Sequence, residues 1–189
     1  PKLPELIKYL KSLEDTKSIF LVTNGQEPDM IQKLQDEDAL PTQLYLSTNA
    51  ADYESFIKIN KPKYDDSWER WNRTLDMLKD LDTRTVLRIT LIRNYNDQKE
   101  MIPAFADMFR KASPHFIEIK SYMHIGRSTN RLEHENMLEM SEVKKFSEEI
   151  AKQSKIFSIM DESLVSRISI LQNNERFIDR WISAYANTN

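Results

Sequence analysis

Lys120 is the first candidate for chemistry, because the run His115–Ile119, HFIEI, reads as a short buried strand that delivers it. A lysine at a buried strand end can take a lowered pKa and form a Schiff base with a carbonyl substrate. A structural ion pair with an acidic neighbour is the competing role. Tyr122, His124, Gly126, Arg127, Asn130 and Arg131 follow, in a polar stretch that runs to about Met140. Loops that long in compact domains are usually functional or disordered. Arg88 is the second candidate, since it interrupts the β-rich run TVLRITLI. A buried guanidinium stays charged, so it requires an anionic or hydrogen-bonded partner, from the protein or from a ligand. His115, His124 and His134 match no metal spacing and are read as non-ligands. With no cysteine, the chain has no disulfide and no thiolate to hold a metal. No nucleophilic triad or convincing carboxylate pair is present.

The elements that must position these residues follow from periodicity. Leu3, Leu6, Ile7, Leu10 and Leu13 predict an amphipathic helix with Pro4 in its first turn. Ser18–Thr23 predicts a strand cut off by Asn24-Gly25, and Pro28 opens a second helix. Gln43–Ser47 is the next strand, followed by a helix that Asn49 would cap, with Tyr53, Phe56, Ile57 and Ile59 inward. Ser67 would cap a helix whose stripe of Trp68, Trp71, Leu75 and Leu78 reads as core rather than a stacking platform. Thr85–Ile92 is a strand, and Pro103 starts a helix that Pro114 stops. Ser141 would cap another. Ile156–Met160 and Val165–Leu171 predict a closing strand pair, and Glu175–Tyr185 a terminal helix.

Strands separated by helix-length segments predict an α/β fold: a mostly parallel sheet with outer helices, four parallel strands forming part of a barrel. Active groups then gather at the strand carboxyl ends. That selects Asn24, Ser47, Asn49, Arg88, Thr90, Arg93, Lys120 and Tyr122. Asn24 could equally hold a turn, and Ser47 and Asn49 could equally cap a helix. Arg93, Lys99, Lys111, Arg127 and Arg131 are expected on or near that face, where arginine with asparagine and tyrosine suits phosphate contacts and base stacking.

The 27 basic and 30 acidic residues leave a net charge of -3, so any nucleic-acid contact requires a local patch. Two glycines exclude a glycine-rich phosphate loop. No apolar run is long enough for a bilayer, and the cytoplasm is the default location. Two readings survive from the residues alone: an anion-binding α/β enzyme completed by residues outside this chain, or a non-catalytic RNA-binding α/β module.

FLVTNG at 20–25, LPTQLYLSTNA at 40–50, WER at 68–70, RTVLRITLIR at 84–93 and IEIKSYMHIGRSTNRL at 117–132 carry a resemblance. They resemble the archaeal tRNA 4-demethylwyosine synthases, radical SAM enzymes of wybutosine biosynthesis, from the first helix to about residue 155. The resemblance implies a partial (β/α)6 TIM barrel, with residues 1–155 its carboxyl-terminal part (strands three to six) and residues 156–189 an extension. It implies S-adenosylmethionine (SAM) and a [4Fe–4S] cluster on a Cys-x3-Cys-x2-Cys loop upstream of Pro1. It also implies pyruvate and tRNA-Phe carrying N1-methylguanosine-37 as reactants, in a lyase reaction. By the same resemblance Asn24, Ser47, Asn49, Arg88 and Thr90 face SAM, with Arg88 and Thr90 also candidates for pyruvate. Lys120 is the catalytic lysine, and the loop Gly126–Arg131 faces the anticodon loop. Alone, the chain is expected to be inactive, and its open sheet edges favour self-association.

Overall fold

A computed structural model describes residues 2–182. In chain order its strands are β1 (Phe20–Thr23), β2 (Gln43–Ser47), β3 (Arg84–Leu91), β4 (Phe116–Ser121), β5 (Phe157–Ser163) and β6 (Ile168–Asn173). They form one sheet in the order β1-β2-β3-β4-β6-β5. β1 to β4 run parallel, β6 lies antiparallel to β4, and β5 antiparallel to β6. The expected closing pair is therefore present, and it continues the same sheet.

The helices are α1 (Leu3–Lys11), α2 (Pro28–Asp36), α3 (Tyr53–Asn60), α4 (Ser67–Met77), α5 (Ile102–Ala112) and α6 (Met140–Ser154). Proline occupies the first turn of α1, α2 and α5, where its missing N–H costs nothing. On β3, Leu87, Ile89 and Leu91 are fully buried in the main core with Phe105, Phe109, Val143 and Ile150. The alternate residues Arg84, Val86, Arg88 and Thr90 point to the opposite face of the sheet. One face thus packs on helices while the other carries the charges. Trp71 is 1% exposed, stacks on Trp68 at 5.3 Å and donates Nε1–H to the Ser47 carbonyl at 3.2 Å. The tryptophan pair is core, as its leucine stripe predicts. No described helix is long and apolar enough to cross a membrane.

Several expectations are corrected. Asn49 does not cap α3; Asp52 does, accepting the Ser55 N–H at 2.8 Å. Ser67 is the first residue of α4 rather than its cap, and its hydroxyl donates to the Tyr64 carbonyl. α6 starts at Met140, with Glu139 and Glu142 forming its capping box in place of Ser141. Tyr53 and Ile57 are exposed, because the inward stripe of α3 is Phe56 and Ile59. Lys111 sits late in α5, which runs back from the carboxyl ends of the strands, and it pairs with Asp76 away from the candidate face. Residues 175–182 are not helical, and the rest of that expected helix lies outside the described residues. The Arg84 guanidinium binds the carbonyls of Asp179, Arg180 and Trp181, and Arg176 binds that of Ser113. These contacts strap the segment across the amino end of the sheet.

Candidate functional site at the carboxyl ends of the parallel strands

Strand register gathers the predicted residues. Ser47, Arg88 and Glu118 are Cα partners in one row across β2, β3 and β4, and Thr90 pairs with Lys120 one row nearer the carboxyl ends. In-register neighbours on parallel strands point to the same face, so these five side chains share the charged one.

At the end of β1, Gly25 adopts φ +74°, and a Cβ there would lie 2.7 Å from Leu46 Cδ1. Only glycine fits this turn. Its carbonyl accepts the Thr74 hydroxyl at 2.8 Å, tying β1 to α4. Asn24 Oδ1 accepts the Gln26 N–H at 3.2 Å, so Asn24 does hold the turn. It also lines a cleft of about 510 Å³ with Gln26, Ser47, Asn49, Asn60 and Tyr64. Gln26 donates its amide N–H to the Ser67 carbonyl, which leaves its buried Oε1 without a donor. An acceptor in that state suits a ligand N–H.

Asn49 is fixed by its neighbours. Its Oδ1 accepts the Thr90 N–H at 3.1 Å and its Nδ2 donates to Asn60 Oδ1 at 3.2 Å. Beneath it lies Asn96, 0% exposed and absent from the candidates drawn from sequence. Asn96 Nδ2 donates to the Asn49 and Thr90 carbonyls, each at 2.9 Å, and its Oδ1 accepts the Ile92 N–H at 2.7 Å. One buried amide thereby joins the ends of β2 and β3. The Asn94–Asn96 polar run following a strand is the only sequence signal for it.

Arg88 finds its anion within the protein. Its Nε lies 2.7 Å from Glu118 Oε1, and Nη2 donates to Oε2 at 3.3 Å. Both contacts hold the guanidinium against the carboxylate, with Nε itself buried. The guanidinium also lies 4.5 Å from the Tyr45 ring centroid. Burial, and then the Glu118 charge, push the Tyr45 phenol above its ordinary pKa. Lys120 is half-buried and makes no ion pair among the described residues, which removes the structural pairing weighed against it.

The loop after β4 is built, not loose. Two short 3₁₀ turns, Gly126–Asn130 and His134–Asn136, shape it. Ile59, Ile92, Tyr122 and Leu132 form a small core beneath it. Tyr122 is 5% exposed and its hydroxyl meets His124 Nδ1 at 3.1 Å. Arg93 is committed inside the chain: bidentate to Glu142 at 2.5 and 2.7 Å, and donating to the carbonyls of Glu135 and Met137. The Arg93 hydrogen bonds hold the Glu142 carboxyl below its ordinary pKa. Gly126, Arg127, Asn130 and Arg131 are exposed at the loop surface. No group of three or more His, Asp or Glu suited to a metal occurs among the described residues. His115 lies at the opposite end of the sheet, where burial, then Arg176 and Arg84, lower its pKa to about 4.

Comparisons with known proteins bear on the family and the fold. A family model described as wyosine base formation matches residues 111–173, which span β4, its loop, α6 and the β5–β6 hairpin. The S-adenosyl-L-methionine-dependent tRNA 4-demethylwyosine synthase of Methanocaldococcus jannaschii is 40% identical over 181 residues, covering 95% of this chain and 53% of that protein. Its counterpart from Pyrococcus abyssi is 38% identical over 156 residues, covering 82% of this chain and 45% of the relative. A solved structure of TYW1 with a lysine–pyruvate adduct bound superposes with a TM-score of 0.81 at 39% identity, over 94% of this chain and 54% of that one. The radical SAM enzyme HemN from Escherichia coli, at 13% identity and a TM-score of 0.56 over 91% of this chain and 39% of its own, shows the shared fold alone. The chain spans about half the length of the relatives it matches. Its sheet is thus part of a partial TIM-barrel-like fold, and the chain belongs to the tRNA 4-demethylwyosine synthase family.

Proposed function

We propose that this chain forms part of a cytoplasmic radical SAM enzyme that joins a two-carbon piece of pyruvate to N1-methylguanosine-37 of tRNA-Phe. The product is 4-demethylwyosine and the reaction is of the carbon–carbon lyase class. The carrying observation is the convergence at one sheet end of a polar cleft, an unpaired lysine and an exposed arginine loop.

A cleft of about 510 Å³ is of the size that encloses a nucleoside-sized ligand. Asn24, Ser47 and Asn49 would bind SAM there, and the orphaned Gln26 Oε1 offers an acceptor for one of its N–H groups. When bound, SAM supplies the radical chemistry. Arg88 and Thr90, on the charged sheet face with Lys120, would meet a carboxylate of SAM or of pyruvate. The [4Fe–4S] cluster has no ligand set here, because the chain has no cysteine; upstream residues of the complete enzyme would hold it.

Lys120 is the proposed catalytic residue. As the neutral amine, Nζ adds to the C2 carbonyl of pyruvate, water leaves, and an imine tethers the substrate until hydrolysis frees the lysine. Reaction of a lysine with pyruvate in a related structure supports this chemistry. Gly126, Arg127, Asn130 and Arg131 would meet the anticodon loop, with Arg93 and Tyr122 holding that loop in place. Residues 1–155 would serve as the barrel portion and 156–189 as its extension. The outer edges of β1 and β5 suit pairing with a second copy when the chain is isolated.

The test is Lys120→Ala in the full-length enzyme. Ring formation and borohydride trapping of pyruvate should both be lost, while cluster content and tRNA binding are kept. Unchanged turnover, or undiminished trapping, refutes the role.

A further inference from the structure

The last turn of α3 and the loop after it carry charges that the functional reading so far leaves unused. Lys58, Lys61 and Lys63 are exposed, and none makes an ion pair among the described residues; nor does Arg131. On the outer helices Arg70, Arg73 and Arg110 are each matched to an aspartate while Lys11, Lys145 and Lys152 are not, so what sets this group apart is its position beside the cleft. The unpaired cations are also contiguous. Lys61 and Lys63 form one wall of the large cleft, and Lys61 continues into a shallow depression of about 60 Å³ that it shares with Lys58, Tyr95 and Arg131. The Lys58 ammonium sits 5.2 Å over the Tyr95 ring, a contact that orients the charge without neutralising it. Of the nearby acids, Glu27 lines the cleft with the lysines, Asp65 and Asp66 follow Lys63 in the chain, and Asp66 is already taken by Arg70.

A line of unneutralised cations with an aromatic ring in its floor is what a single-stranded nucleic-acid backbone requires. It begins at the loop Gly126–Arg131 and ends at the cleft mouth. We infer that Lys58, Lys61 and Lys63, continuing from Arg131, form a phosphate-binding track that carries one strand of the RNA loop to the reaction centre. This inference rests on RNA being the substrate and adds the route it takes. An enzyme acting on a base must take it out of its stack, which leaves single-stranded backbone for the track to hold.

The experiment uses the full-length enzyme, its tRNA, and the variants Lys58→Ala/Lys63→Ala and Arg127→Ala/Arg131→Ala. Affinity is measured from about 50 to 200 mM salt. For the lysine pair, log affinity against log salt should lose about 1.4 units of slope, near 0.7 per phosphate contact on a single strand. Affinity at physiological salt should fall about tenfold, with the melting temperature unchanged because both side chains are exposed. Unchanged affinity, or weaker binding with an unchanged slope, overturns the track even when the arginine pair behaves as a phosphate contact. Failure of the unmodified enzyme to bind the tRNA sinks the proposed function itself, a distinguishable outcome.

Discussion

Asn96→Ala is the substitution whose effect can be worked most fully from the structure. The side chain is fully buried and makes three hydrogen bonds, of 2.7, 2.9 and 2.9 Å, to groups on two strand ends. Truncation leaves the Ile92 N–H and two carbonyls without this partner. A net hydrogen bond contributes about 1 kcal/mol, and an orphaned buried donor costs about 1–3 kcal/mol. A destabilisation of about 3 kcal/mol follows, which for a chain of this size lowers the melting temperature by about 6–12 °C. Scanning calorimetry of the 189-residue chain reads the first effect. SAM titration of the full-length enzyme reads the second, since Asn49 loses the support beneath it and affinity should weaken severalfold.

Asn96→Asp sharpens the test. The introduced carboxylate keeps an acceptor for Ile92 but sets an oxygen against the Asn49 and Thr90 carbonyls, so its folded-state pKa must rise above the unfolded value. Stability is then fully present below the unfolded pKa and lost as pH rises through the folded one. A melting temperature within about 2 °C of the unmodified chain for Asn96→Ala, or an Asn96→Asp variant indifferent to pH, would refute the bridge.

Two further outcomes are expected. The His115 pKa falls from 6.5 unfolded to about 4 folded, because the ring is buried with Nδ1 accepting the Thr85 N–H; stability present above pH 6.5 is therefore lost as pH falls toward 4, and His115→Gln should flatten that part of a pH–denaturation curve. The chain by itself, lacking thiolates for a cluster, should form no 5′-deoxyadenosine from SAM under reducing conditions, and detectable product overturns that expectation.

The arrangement explains why one face of the sheet tolerates so many polar groups. The half-buried Arg88 and the buried Glu118 neutralise each other, and Arg84 is satisfied by carbonyls of the strap. Breaking such a pair by removing one partner costs about 3–5 kcal/mol, far more than the intact pair contributes. The pair therefore constrains where the Arg88 guanidinium points.

Local rules in the sequence determined much of this protein. Prolines set the starts of α1, α2 and α5, apolar runs marked the strands, and Asn24-Gly25 marked the end of β1, because each depends on a few adjacent residues. Helix-length crossovers then required parallel strands, and parallel strands brought Ser47, Arg88 and Lys120 to one end. The caps were misassigned to Asn49, Ser67 and Ser141 because several polar residues compete near each helix start, and packing selects the one that can reach the free N–H groups. Tertiary structure alone decided the remainder. It paired Arg88 with Glu118, 30 residues on, spent Arg93 on Glu142, and placed Asn96 under Asn49 across 47 residues. It also drew the terminal segment into a strap and set Lys58 and Lys61, at the end of α3, beside Arg131. Such contacts link residues far apart in the chain, and no periodicity records them.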